Sequence, residues 1–250
     1  MIKHRLKIND DKTEFLVLAS PNMHQKLDSS HHLQVGSTQV TPTSSARNLG
    51  VTFDRYMKME EHITNICKSA NFHLRNIGAI RPLLDDKSAA QLIHSFVTSR
   101  LDYCNSLLIG LPGEQISRLQ RIQNHAARIV TRTKKFDHIT LVLQTLHWLP
   151  VKLRIEYKIL LLTYRTLNNM APGYLMELLT PYRPPRTLRS SQENLLVVPK
   201  SKLKTYGDRS FCAAAPKAWN NLPISIRSCQ TLGAFKSSLK TYLFGKYFKV

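Results

Sequence analysis

The chain has 250 residues, 42% of them apolar and 21% charged, a composition that excludes a disordered chain and allows one large domain or two smaller ones. Lys and Arg number 36 against 16 Asp and Glu, a formal charge of +20. Such an excess points to a polyanionic partner, above all nucleic acid, because each neutralised phosphate releases condensed counterions.

Thr13-Glu14-Phe15-Leu16-Val17-Leu18-Ala19 is a β-rich run stopped by Ser20-Pro21-Asn22. Gln34-Val35 and Gln39-Val40 flank Gly36-Ser37, the pattern of a short hairpin. Thr41-Pro42-Thr43-Ser44-Ser45 reads as a polar loop and residues 49–53 as another strand. Residues 1–55 thus predict the edge of a small antiparallel sheet, too little to fold well alone. From residue 59 the period turns helical, with Ile63, Ile66, Cys67, Ala70, Leu74 and Ile77 on one face and Pro82 closing the element. Asp86 is the expected N-cap of a second helix carrying Ala89, Leu92, Ile93, Phe96, Val97 and Leu101 inward. After Gly110-Leu111-Pro112-Gly113, a third helix buries Ile116, Leu119, Ile122, Ala126, Ile129 and Val130. Three amphipathic helices with short breaks predict a bundle.

Residues 138–168 predict two more helices meeting at Trp148-Leu149-Pro150, the second with Val151, Ile155, Ile159, Leu162 and Leu167 inward. Pro172, Pro181, Pro184 and Pro185 punctuate a basic stretch around Arg183, Arg186 and Arg189, and Leu195-Leu196-Val197-Val198 suits one strand. Phe211, Pro216, Trp219, Leu222 and Pro223 mark a compact non-repetitive segment before a last helix with Phe235, Leu239, Tyr242 and Leu243. The expected fold class is α+β, mainly α: a small antiparallel sheet edge over 1–55, a helical bundle over 56–135 and a mixed basic segment over 136–250. Charge rises along it, with 8 basic and 6 acidic residues in 1–60, 11 and 6 in 61–140, and 17 and 4 in 141–250.

Several chemistries lack their residues. Cys67, Cys104, Cys212 and Cys229 are too widely spaced for a zinc knuckle, and Cys67 and Cys104 read as small core residues. No secretory leader precedes them, so reduced intracellular thiols are expected. No apolar run approaches the ~18 residues of a membrane span. Ten histidines form no H-E-x-x-H pair, and G-x-S-x-G, P-loop and dinucleotide glycine patterns are absent. Asp10-Asp11 and Asp85-Asp86 imitate paired metal-binding carboxylates, but neither has a third acid in a suitable setting; a turn and a helix start explain them better. The positive signal is the third helix. Arg118, Arg121, Arg128 and Arg132, spaced three, seven and four, share one side beside the apolar stripe, with Lys134-Lys135 just beyond. Such a helix can dock on a protein body while touching phosphates. Lys152, Arg154 and Lys158, then Lys200, Lys202 and Lys204, extend the basic character. Aromatic residues do not interleave with it, so backbone contact to a duplex or heteroduplex fits better than a base-stacking platform.

Leu6-Lys7-Ile8-Asn9-Asp10-Asp11-Lys12-Thr13-Glu14-Phe15-Leu16-Val17-Leu18 and Asn48-Leu49-Gly50-Val51-Thr52-Phe53-Asp54 resemble the last two palm motifs of reverse transcriptases in non-LTR (LINE-type, jockey-like) retrotransposons. Further stretches resemble the family in the same order: Thr98 to Leu108, Leu119 to Arg128, Leu146-His147-Trp148-Leu149-Pro150-Val151, and Ala215-Pro216-Lys217-Ala218-Trp219-Asn220-Asn221-Leu222-Pro223. The resemblance implies an incomplete palm edge over 1–55, a thumb-like bundle over 56–135 and a C-terminal segment over 136–250. It implies that Lys12 lies near an incoming nucleotide and that Leu49-Gly50-Val51 grips a primer strand. The family's F/Y-A-D-D motif and its first catalytic aspartate have no counterpart in this chain, and Met1-Ile2-Lys3 resembles the interior of a longer protein. The resemblance therefore implies nucleic-acid binding without polymerase activity. It implies no catalytic residue and no cofactor here, Mg belonging to the complete parent enzyme. A full-length element protein is a further possible partner. The rival expectation is a protein-interaction remnant of a mobile element, recruiting partners through orphaned strand edges.

Overall fold

A computed structural model describes residue 9 and residues 12–26, 32–36, 38–184, 193–201, 203 and 206–249. Asp10, Asp11, His31, Ser37, Pro185, Arg186, Arg189, Lys202 and Lys204, together with residues 1–8, lie outside them. The chain divides into two compact units, 1–66 and 67–250. The fold is α+β and mainly α.

The first unit holds a short helical turn, α1 (Pro21–His24), and two hairpins. Strands β1 (Leu33–Val35) and β2 (Thr38–Val40) pair antiparallel around Gly36, whose φ of +58° makes the turn. Strands β3 (Ser45–Asn48) and β4 (Val51–Asp54) pair with Asn48 opposite Val51, which leaves Leu49-Gly50 as a two-residue turn. Both turn residues have positive φ, +47° and +81°, the condition of a type I′ turn, whose twist matches that of the strands. The expected strand over residues 13–19 is absent: Phe15 makes one isolated bridge to Pro42. Scattered main-chain and side-chain bonds hold that segment instead: the Thr43 N–H and Oγ1 donate to Phe15 O at 2.7 and 3.2 Å, and Glu14 accepts the Arg47 N–H at 3.0 Å. Asp54 then organises the exit from β4. Its Oδ1 accepts the N–H groups of Tyr56 and Lys58 and its Oδ2 that of Met59.

Helix α2 (Glu60–Ile80) opens with Glu60 and Glu61 in its positively polarised first turn, and the division between the units falls within it. Ile63, Ile66, Ala70, Leu74 and Ile77 are all buried, as their spacing predicts. In the second unit, Arg81–Leu83 forms a 3₁₀ turn, and α3 (Asp86–Ile93) follows. Asp85, one residue before the expected cap, is the N-cap: its carboxylate accepts the Ser88 N–H at 2.7 Å, which holds the Asp85 pKa down. A π-helical segment, His94–Thr98, joins α3 to α4 (Ser99–Asp102). Its wider turns keep Ala89, Ile93, Val97 and Leu101 buried at successive spacings of four and turn Phe96 outward, against the expected face.

Helix α5 (Gly113–Thr131) packs on α3, on α6 (Ile139–Thr145) and on α7 (Val151–Leu167), bridging the expected division at residue 135. Helix α7 is the hub. It also meets α9 (Phe211–Asn220) and α10 (Leu232–Phe248) and, more weakly, α8 (Gly173–Met176). Eight of its residues are buried, including Leu160 and Tyr164, while Leu162 and Leu167 are only half-buried. A helix enclosed on several sides loses the single stripe that a sequence pattern can read. Around it Leu153, Ile159, Leu160, Trp219, Phe235, Leu239 and Leu243 form one core, with the Tyr164 and Phe235 rings stacked at 4.2 Å. Two further expectations fail here. Residues 211–220 are a regular helix despite Pro216, whose ring is buried with three alanines. Leu195–Val198 forms no strand, and Leu196 makes a single bridge to Pro181.

Candidate nucleic-acid interface

The last turn of α5 presents carbonyl groups with no partner within the helix, and Arg81 supplies donors for them. Its Nε donates to Ile129 O at 2.7 Å, its Nη2 to Val130 O at 2.8 Å, and its Nη1 to Leu84 O at 2.7 Å. Asp86 pairs with the same guanidinium. A cation at a helix C-terminus meets both the orphan carbonyls and the negative end of the dipole. Arg81 is 7% exposed, so this contact fastens the end of α2 to the end of α5. Nothing in the spacing of basic residues singles it out. The signal is an arginine directly before Pro82, where α2 must end.

Between these two helix ends runs a groove of about 850 Å³. Gly78, Pro82 and Ile129 are apolar members of its lining, which also includes Arg121, Arg128, Arg132 and Lys135 with Asn124 and His125. Arg121 and Arg128 project from α5 on one side, as their spacing predicts. Arg132 does not, because α5 ends at Thr131 and Arg132 is its C-cap in the left-handed region, φ +54°. That reversal still delivers it to the groove, where its Nη2 donates to Leu84 O at 3.1 Å. Arg128 donates to Lys134 O and, at 2.9 Å, to Asp137 O. These bonds all end on main-chain carbonyls. They fix the guanidiniums in place without neutralising them, which is the state of a cation preorganised for an anion. Arg121 is exposed and has no hydrogen bond or ion pair among the described residues. Burial of part of its ring lowers the His125 pKa, so this imidazole is neutral near pH 7.

The remaining sequence candidates lie elsewhere. Arg118 is on α5 but outside the groove lining, with Nη1 on Gln115 Oε1 at 3.0 Å. Lys134 is exposed beside the groove, its N–H bonded to Asp137 Oδ2 at 3.0 Å. Lys152 is exposed on α7. Arg154 is committed to an ion pair, gripping both carboxylate oxygens of Asp102. In the first unit Lys12 is exposed, and Leu49, 82% exposed, stands with Gly50 at the hairpin tip. The Val51 side chain is buried at 2% exposure and is therefore closed to a ligand.

The polar residues of the family-like stretches act as clips. Gln123, itself buried, donates to Leu149 O at 2.9 Å, and Gln120 Oε1 accepts the Val151 N–H at 2.9 Å. Thus Leu119 to Arg128 is bonded directly to Leu146 to Val151. Trp219 Nε1 donates to Asn194 O at 2.8 Å, while the Asn220 amide brackets Leu196, accepting its N–H and donating to its carbonyl. An asparagine amide reproduces there the donor and acceptor pair of a neighbouring strand. Cys104 takes a left-handed conformation, φ +50°, between α4 and a 3₁₀ turn, where a core helical position had been expected. Cys67 is half-buried and burial raises its thiol pKa, in keeping with a packing role.

Among the described residues no cluster of acids, histidines and cysteines could hold a metal ion, and no helix is long and apolar enough to cross a membrane. Comparison of the chain with protein-family models, with curated proteins and with solved structures finds no match.

Proposed function

We propose that this chain is a reverse-transcriptase-like protein segment that binds the nucleic-acid backbone through the groove between α2 and α5, without polymerase activity of its own. The carrying observation is the convergence there of Arg121, Arg128, Arg132 and Lys135 with no carboxylate partner on any of them among the described residues. The ordered non-LTR motifs support the family reading, and residues 67–135 then correspond to most of a thumb. The palm aspartates that hold metal in that family have no counterpart in this chain, which supports the absence of nucleotide transfer.

Fluorescence anisotropy with a labelled oligonucleotide tests the binding. Four phosphate contacts predict that log affinity falls with log salt at a slope of about −3 to −4. Reversing charge at Arg121 and Lys135 flattens that slope. A wild-type affinity insensitive to salt refutes the reading. Primer extension with Mg²⁺ or Mn²⁺ tests the second half: no template-dependent product is expected, and synthesis above background overturns the non-enzymatic part.

A further inference from the structure

Resting on that reading, we infer that the groove between α2 and α5 takes an unpaired strand, seating a nucleobase on the apolar part of its lining while the cations of the same lining hold the flanking phosphates. Sequence alone favours a duplex, because aromatic residues do not alternate with the basic ones. The groove alters the comparison. A duplex presents its phosphates on two convex ridges and keeps its bases stacked inside, so nothing apolar could reach the apolar lining of a groove. For that ligand, an exposed arginine face would suffice. Here the cations line a groove instead. Half-buried Gly78 and Ile129 and exposed Pro82 supply its apolar lining. The volume of about 850 Å³ falls within the ~300–1,000 Å³ of sites that enclose small organic groups. An unpaired strand can rotate a base out of line and bury its face, at no cost in broken base pairs. Asn124, in the groove lining, accepts from Gln120 through its Oδ1 at 2.8 Å, a bond that leaves its amide N–H groups as donors for a base edge. The neutral ring of His125 offers a flat face rather than a charge.

Gly78 provides the test. A Cβ there would meet Ile129 Cδ1 at 3.8 Å, an ordinary contact, so the first carbon of a side chain fits without strain. Leucine in place of a glycine in the last turn of α2 also favours the helix. Gly78→Leu therefore covers the apolar lining while leaving every cation in place. Anisotropy at one salt concentration compares three 12-nucleotide probes: oligothymidylate, the same strand with abasic sites, and a mixed-sequence duplex. The wild-type protein is expected to bind oligothymidylate at least tenfold more tightly than either other probe. Gly78→Leu is expected to lose that preference and keep the weaker affinity common to all three. Duplex binding equal to or tighter than single-strand binding overturns the inference and leaves the proposed function standing. Equal binding of the abasic strand, measured on the wild-type protein, overturns it independently of whether the variant folds. No salt-dependent binding of any probe removes the proposed function as well.

Discussion

Replacing Arg81 by methionine keeps an aliphatic stem of similar length and deletes the guanidinium. The side chain is 8% exposed, so water cannot readily replace what is lost. Three main-chain carbonyls, Ile129 O, Val130 O and Leu84 O, lose a charged donor at 2.7 to 2.8 Å. Hydrogen bonds to charged groups are each worth about 1.5–3 kcal/mol, and an acceptor left buried without a partner adds to the loss. Part of that is offset because the methionine no longer desolvates a charge. Taking the lower end for three bonds gives a net cost of roughly 3–5 kcal/mol. The pair with Asp86 contributes little, since that carboxylate is 78% exposed, and exposed pairs are worth about 0–1 kcal/mol. Asp86→Asn is thus the control. In a unit of this size each kcal/mol shifts Tm by about 2–4 °C, so Arg81→Met should lower Tm by roughly 6–20 °C and Asp86→Asn by no more than about 4 °C. Thermal unfolding followed by circular dichroism, with urea titration as a second measure, reads both. If Arg81→Met unfolds within about 1 kcal/mol of wild type, Arg81 does not fasten the ends of α2 and α5, and the groove loses its stated support.

Leu49→Asn should stabilise the first unit by about 0.5–1 kcal/mol, because asparagine tolerates the positive φ that leucine resists; a loss of stability would show that Leu49 is held by contacts beyond its turn. Asn220→Ala deletes both bonds to Leu196 and should cost about 1–3 kcal/mol in urea titration, whereas unchanged stability would remove its clip role. The pH dependence follows from His62, 5% exposed, whose Nδ1 accepts the Thr52 N–H at 3.4 Å. Burial lowers its pKa below 6.5, as it does for His94 and His125; for His94 the Arg154 charge adds to the lowering and Asp102 opposes it. In the unfolded chain these imidazoles take up protons as pH falls through about 6.5, while in the fold they remain neutral to lower pH. The unfolded state then binds more protons, so stability declines as pH falls below that value. Urea midpoints at pH 7.5 and 5.5 check this, and a midpoint that stays level or rises on acidification refutes it.

Helix positions in the first bundle were legible because each of those helices has one buried side. Ile63, Ala70 and Leu74, and likewise Leu119, Ile122 and Ala126, repeat at three and four residues since a single apolar stripe suffices to dock them. The first hairpin was legible from Gly36, whereas the second was not: Leu49 and Gly50, read as the start of a strand, form its turn with positive φ. The net charge, its rise toward the C-terminal segment and the arginine face of the third helix also stood in the sequence, because charge needs no partner to be counted. Arg121 and Arg128 could be placed on one side from spacing alone.

Tertiary contacts decided the rest. Residues 13–19 and 195–198 have strand-like composition, but a strand needs a neighbour with free donors and acceptors. Isolated main-chain bonds and the side chains of Thr43 and Asn220 meet part of that need instead. Pro216 lies inside a helix because burial against the α7 core outweighs one missing N–H. Sequence named both Arg154 and Arg121 as candidate phosphate contacts, yet Asp102, distant in sequence, pairs with Arg154, while Arg121 has no ion pair among the described residues. Arg81 carries no periodic signal, since its partners lie 48 and 49 residues away. The chain by itself thus determined where charge and amphipathic helices occur, which are local properties of residue type and period. Only packing decided which cations remain unneutralised and that they line a groove, because both depend on what the folded chain brings within hydrogen-bonding distance.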